Sequence, residues 1–113
     1  DLDMLQDYDN NYIGSVLDFT NLYTITYGDV STGSLYVMDV PYDETKLLNN
    51  ILNLNLKEVI FADESNKELI DILKNNYGIE VSINTEYLNE SIIDLTGFLL
   101  LANNISPKNN TAT

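Results

Sequence analysis

Residues 22–40 leave this chain little freedom in how it can fold. Tyr23, Ile25 and Tyr27 alternate with Leu22, Thr24 and Thr26, the period-two pattern of a strand with one buried face. Residues 34–40 alternate again. Between the two runs, Asp29, Ser31 and Thr32 carry short side chains that bond to nearby backbone N–H groups, and Gly33 supplies a positive φ without steric cost. Two such runs joined so closely make an antiparallel hairpin. Composition alone asks nothing of that hairpin beyond stability.

The rest of the chain is arranged around it. Residues 11–17 form a first strand, and Asp18-Phe19-Thr20-Asn21 turns it into the hairpin, so the first three strands are an antiparallel meander. Pro41, with no N–H, stops the ladder. Asp43 is placed to cap a helix, with Glu44 at its positive end. Leu47, Leu48, Ile51, Leu52 and Leu56 give that helix an apolar stripe. Val59-Ile60-Phe61-Ala62 is continuously apolar, as suits a central strand covered on both faces and reached by a parallel crossover. Ser65-Asn66-Lys67-Glu68 reads as a capping box. It opens a second helix buried through Leu69, Ile70, Ile72, Leu73 and Tyr77 and stopped by Gly78. Residues 80–83 alternate as an outer strand, residues 84–90 are a polar connection, and residues 92–105 read as a third helix with a tight packing point at Gly97. The order is β-β-β-α-β-α-β-α. Right-handed crossovers place the fourth strand beside the first. The fold class is therefore α/β, a mixed five-stranded sheet flanked by helices, the arrangement of ribonuclease-H-like folds. Residues 1–9 read as a linker, 10–106 as the domain and 107–113 as a flexible tail.

Three stretches carry a resemblance. Gly28-Asp29-Val30-Ser31-Thr32-Gly33 between two strands resembles a hairpin of the connector domain of MutS-type mismatch-repair proteins. Asn10-Asn11-Tyr12-Ile13-Gly14-Ser15-Val16 is similar to that domain's first strand. Leu56-Lys57-Glu58-Val59-Ile60-Phe61 is similar to the strand after its first helix. The matches occur in family order over roughly the first two thirds of the chain. The resemblance implies a ribonuclease-H-like connector without an active site, joining a mismatch-binding domain to the lever and core of an ATPase. It implies further partners: the other domains of the same chain, the protein MutL, and DNA only through the parent protein. Cofactors (ATP and Mg²⁺) belong to the parent, which the resemblance makes a cytoplasmic homodimer. A chain that begins at Asp1, with no Met or signal-like segment, fits such an excised piece.

Composition narrows the chemistry. At 113 residues the chain has room for one core. It contains no Cys and no His, which removes disulfides, thiolate nucleophiles, imidazole bases and ordinary zinc sites. The net charge is −13, and all five basic residues are Lys (Lys46, Lys57, Lys67, Lys74 and Lys108). Phosphate binding needs clustered cations. Scattered over helices and a tail, these lysines leave a chain that repels DNA and anionic membranes. No apolar run approaches the length of a membrane span.

Candidate chemistry is sparse. Asp7, Asp9, Asn11 and Asp18 fall at liganding positions of a calcium loop, but Tyr12 stands where the sharp turn needs Gly. The alternative reading is a Mg²⁺-dependent nuclease or phosphotransfer domain of ribonuclease-H type, built on carboxylates. Asp18, Asp63 and Glu64 are its candidates, yet the middle of the first strand holds Ile13-Gly14-Ser15 and no acid. No phosphate loop and no G-x-S-x-G elbow occurs. The sequons at Asn89, Asn104 and Asn109 are chance triplets in an Asn-rich chain. Surface recognition remains. Tyr87 beside Glu86 in the polar connection, and Asn103 and Asn104 at the end of the last helix, are the candidate partner contacts. The open backbone edge of an outer strand is another.

Overall fold

A computed structural model describes residues 12–29 and 32–85. Among these residues there are five strands, β1 (Tyr12–Asp18), β2 (Leu22–Asp29), β3 (Leu35–Pro41), β4 (Glu58–Phe61) and β5 (Glu80–Ile83), and two helices, α1 (Glu44–Asn53) between β3 and β4 and α2 (Lys67–Tyr77) between β4 and β5. The strands form one sheet in the order β3-β2-β1-β4-β5. β1 pairs antiparallel with β2, and β2 with β3. β1–β4 and β4–β5 are parallel. The meander and the placement of β4 beside β1 are as the element order predicts. The third helix expected over residues 92–105, the linker at 1–9 and the tail at 107–113 lie outside the described residues.

The hairpin closes through a short set of bonds. Asp29 N–H donates to the Ser34 carbonyl at 3.0 Å and Gly33 N–H to the Asp29 carbonyl at 2.8 Å. Gly33 takes φ +80°, where a side chain is strained. Gly28 is required for a different reason: a Cβ there would stand 2.6 Å from the Ser34 carbonyl oxygen.

Both helices lie on one face of the sheet. Leu47 and Ile51 of α1 and Leu69, Ile70 and Leu73 of α2 join Val16, Tyr23, Ile25, Val40, Leu56, Val59 and Phe61 in one apolar cluster. Each fully buried Leu or Ile contributes roughly 1.5–3 kcal/mol. On the opposite face Ile13, Leu17, Ile60 and Ala62 form a second buried cluster with Phe19 against it. β4 is thus buried on both faces, as its unbroken apolar sequence requires.

The helix ends follow the sequence in part. Asp43 Oδ1 accepts from Thr45 N–H at 2.8 Å and Lys46 N–H at 3.2 Å, the expected cap of α1. Gly78 at φ +66° ends α2. The capping box does not form. The N-cap of α2 is Asn66, with no side-chain capping bond, because Ser65 is engaged elsewhere. Tyr77 is 51% exposed and not part of the buried helix face. As the last residue of α2 it instead borders a cavity of about 290 Å³ between the C-terminal ends of the two helices, with Ile51, Leu56, Lys57 and Ile79. No helix among the described residues is long and apolar enough to cross a membrane.

Candidate functional site

The C-terminal ends of two adjacent parallel strands, β1 and β4, bring together residues that lie far apart in sequence. Asp18 is the last residue of β1. Its Oδ2 accepts from Tyr42 O–H at 3.1 Å, Ser65 Oγ–H at 3.2 Å and Asn66 Nδ2–H at 3.2 Å. Its Oδ1 accepts from Thr20 N–H at 2.9 Å. Asp63, just beyond β4, accepts at Oδ1 from Ser65 N–H at 3.0 Å and is 2.6 Å from Ser65 Oγ. Ser65 thus stands between the two carboxylates. Asn66, 4% exposed, completes the knot: its Oδ1 accepts from Tyr23 O–H at 3.3 Å.

Two tyrosines close the helix-facing side. Tyr23 and Tyr42 stack with ring centroids 4.7 Å apart and planes 25° from parallel, within the distance range of favourable aromatic pairs. Burial, aided by the charge of Asp18, pushes the Tyr23 hydroxyl up to about 12. The hydrogen bond to Asp18 raises that of Tyr42, because it favours the protonated donor. The turn after β1 carries strain. Thr20 sits at φ +67°, an uncommon region for a β-branched residue, and the Asp18 carboxylate holds its N–H there.

Chemically this arrangement fixes geometry. Asp18 accepts from Tyr42, Asn66 and Thr20 and shares the single Ser65 hydroxyl proton with Asp63, and every buried side-chain polar atom among the described residues has a partner. No group of three or more His, Cys, Asp or Glu among the described residues is placed to hold a metal ion. Of the three acids singled out in the sequence, Asp18 and Asp63 meet through Ser65, while Glu64 makes no bond in this network and is exposed. The candidate contacts Glu86, Tyr87, Asn103 and Asn104 lie outside the described residues, as do Asp7, Asp9 and Asn11 of the calcium-loop pattern. Sequence reasoning missed Asn66, Tyr23 and Tyr42. The one available signal was the pairing of a terminal Asp with an Asp-x-Ser-Asn run after the next parallel strand.

The far end of the sheet is aromatic. Tyr27 and Tyr36 stand opposite each other in register, their rings stacked at 5.2 Å. Tyr12 meets them edge-on at 5.4 Å and 6.4 Å. Leu35, Tyr36 and Val37 of β3 remain 50%, 45% and 50% exposed.

Fold and site together define a small α/β domain with a mixed sheet, whose polar residues at the strand ends are tied to one another. Its family is then plain. The profile of MutS domain II matches residues 11–102, and the chain belongs to that family. Among its relatives, the DNA mismatch repair protein MutS of Listeria innocua is 30% identical over 79 residues, 69% of this chain and 9% of the relative. That of Clostridium novyi is 27% identical over 95 residues, 81% of this chain and 10% of the relative. That of Macrococcus caseolyticus is 38% identical over 72 residues, 64% and 8% of the two chains. The match covers about a tenth of the length of these curated relatives.

Proposed function

We propose that this chain is the connector of a MutS-type mismatch-repair protein. It joins a mismatch-binding domain to the core and ATPase, carries no active site of its own, and contributes a docking surface for MutL. The observation that carries this is the family match over residues 11–102. The strand order β3-β2-β1-β4-β5 suits the ribonuclease-H-like architecture that the resemblance implies. The charge of −13 favours protein contacts over phosphate contacts. Contact with DNA, the use of ATP and Mg²⁺, the homodimeric state and the cytoplasmic location would then be properties of the parent.

The test uses the parent protein. Alanine at Glu86, Tyr87, Asn103 and Asn104 together is expected to lower MutL recruitment to mismatched DNA. Mismatch binding and ATP hydrolysis should persist. Undiminished MutL recruitment would remove those residues from the docking surface. Tight binding of duplex DNA by the isolated chain would overturn the connector reading.

One observation favours a second reading. Asp18 and Asp63 meet at the ends of adjacent parallel strands, which is where a carboxylate nuclease or phosphotransfer domain would bind Mg²⁺. A rise in melting temperature with Mg²⁺ or Mn²⁺, abolished by Asp63→Asn, would support it.

A further inference from the structure

We infer that the open edge of β3 binds an extended, cationic segment of a partner polypeptide, which adds to the sheet as a further strand. The hydrogen-bond phase of the hairpin carries the inference. Asp29 N–H donates to the Ser34 carbonyl, so Asp29 and Ser34 are a hydrogen-bonded pair. In an antiparallel ladder such pairs alternate. The register Tyr27↔Tyr36, Ile25↔Met38, Tyr23↔Val40 therefore turns the N–H and C=O of Tyr36, Met38 and Val40 toward β2. Those of Leu35, Val37 and Asp39 point away from the sheet. Among the described residues β3 has no neighbour on that side, and no backbone bond outside the ladder uses Leu35, Val37 or Asp39. The row ends at Pro41, which has no N–H and whose carbonyl accepts from Asp43 N–H at 2.7 Å.

An edge of this kind is normally blunted by charged side chains, above all Lys, by Pro or by a bulge, and in β3 such devices are confined to the C-terminal half, at Asp39 and Pro41. β3 contains no Lys, and its pairing with β2 runs without a break from Leu35 to Pro41. Its N-terminal half is apolar and exposed at Leu35, Tyr36 and Val37. Tyr36 rests one ring face on Tyr27 and is still 45% exposed, so a guanidinium or an apolar side chain of an added strand can cover it.

Charge decides the occupant. Asp39 lies in the strand, Asp43 and Glu44 follow its end, and Lys46 is the nearest cation in sequence; the chain as a whole carries −13. A second copy would set these acids against their own kind, and nucleic acid would add phosphates to them. A strand with Lys or Arg among Val or Ile at alternate positions matches both the acids around Asp39 and the apolar half at residues 35–37. Strand addition of this kind draws affinity from main-chain bonds and specificity from alternate side chains. The inference is independent of the MutL surface proposed above, whose candidate residues lie elsewhere in the sequence.

The test is amide NMR on the 113-residue chain with the synthetic peptide Arg-Val-Lys-Val-Arg-Val-Lys. Saturable shifts and slowed exchange are expected at the amides of Leu35, Val37 and Asp39. A peptide N-methylated at alternate amides, and one with Glu for every Lys and Arg, should each bind at least about ten-fold more weakly. Val37→Pro removes an outward N–H and leaves the β2 ladder intact, so it should weaken binding similarly. If Val37→Pro does not fold, Val37→Lys adds a like charge at the same point and should give the same loss. No shift at these three amides, or equal binding of the Glu peptide, overturns the inference. So does dimerisation that Val37→Lys abolishes, which would give the edge to a second copy. Saturation of the same amides by a DNA duplex would give it to nucleic acid.

Discussion

Replacing Asp18 with Asn keeps the shape of the side chain and removes its charge, and the sign of the result separates two uses of the same carboxylate. In the observed knot, Oδ2 accepts from Tyr42, Ser65 and Asn66, and Oδ1 from Thr20 N–H. An amide in its place must put an NH₂ against one of these two groups of donors. The hydroxyls of Tyr42 and Ser65 can reverse and accept. The Asn66 NH₂ and the Thr20 N–H cannot, so in either orientation one of them meets the new NH₂ and the bonds that survive go to a neutral oxygen; of the two, only Asn66 is buried. Losing a buried hydrogen bond to a charged acceptor costs about 1.5–3 kcal/mol. The two exposed hydroxyl bonds add only tenths. The expected loss is about 1–3 kcal/mol, smallest if the amide turns its NH₂ to the exposed Thr20 N–H, or roughly 5–15 °C in melting temperature for a domain of this size. The assay is urea and thermal unfolding in buffer with a chelator. A metal centre predicts the opposite sign there, because crowded carboxylates repel without their ion and neutralising one relieves the repulsion. A melting temperature unchanged within about 2 °C would refute the reasoning from hydrogen bonds. A rise would move the assignment to metal binding.

The remaining expectations concern the turns and the buried tyrosine. Gly28→Ala places a Cβ 2.6 Å from a backbone oxygen that cannot yield without opening the hairpin, so it should cost about 1–3 kcal/mol in urea unfolding. Thr20→Asn puts a residue tolerant of left-handed backbone at φ +67°. It should stabilise by about 0.5–1 kcal/mol, since it relieves a strained β-branched position. The Tyr23 hydroxyl, pushed from 10.0 up to about 12, is favoured in its neutral form by the fold. Its contribution is complete below pH 10.0 and is lost as pH rises toward about 12. The stability gap between the native chain and Tyr23→Phe should therefore narrow by about 1–2 kcal/mol over that window, after allowing for solvent screening at the sheet rim. An unchanging gap, or absorbance titration in which all eight tyrosines ionise together near 10.0, would contradict this.

What the sequence disclosed and what it withheld have a common physical cause. Periodicity reports which face of an element is buried, so β2, the apolar run of β4 and the stripes of α1 and α2 were readable, and the crossover rule placed β4 beside β1. Hydrogen-bond partners are not periodic. Ser65 followed three residues later by Glu68 satisfies the local rule for a capping box. Yet the Ser65 hydroxyl has two carboxylates in reach, Asp63 nearby and Asp18 across the strand ends. A charge-assisted bond is about twice as strong as the neutral cap it displaces. Asn66 takes the N-cap position, but its amide is held by Asp18 and Tyr23, so α2 starts without a side-chain cap. Tyr77 departs for a related reason: helical spacing places it on the buried stripe, but at the last residue of α2 that stripe opens onto the cavity between the helix ends, and Tyr77 stays 51% exposed.

The same competition bears on function. Acids that a ribonuclease-H-type nuclease would leave open to metal and water are here drawn into bonds with Tyr42, Ser65 and Asn66. That holds the ends of β1 and β4 to the start of α2, across 47 and 48 residues of sequence. A domain that transmits force or position between its neighbours gains from such a tie, because it stiffens the junction between meander and crossover halves of the sheet. The surface inferred to take a partner lies away from the knot, along β3, which among the described residues has no strand on its outer side. If the knot were instead a binding site, its carboxylates would be expected to face open space in the free chain, whereas both oxygens of Asp18 already accept bonds from the chain's own donors.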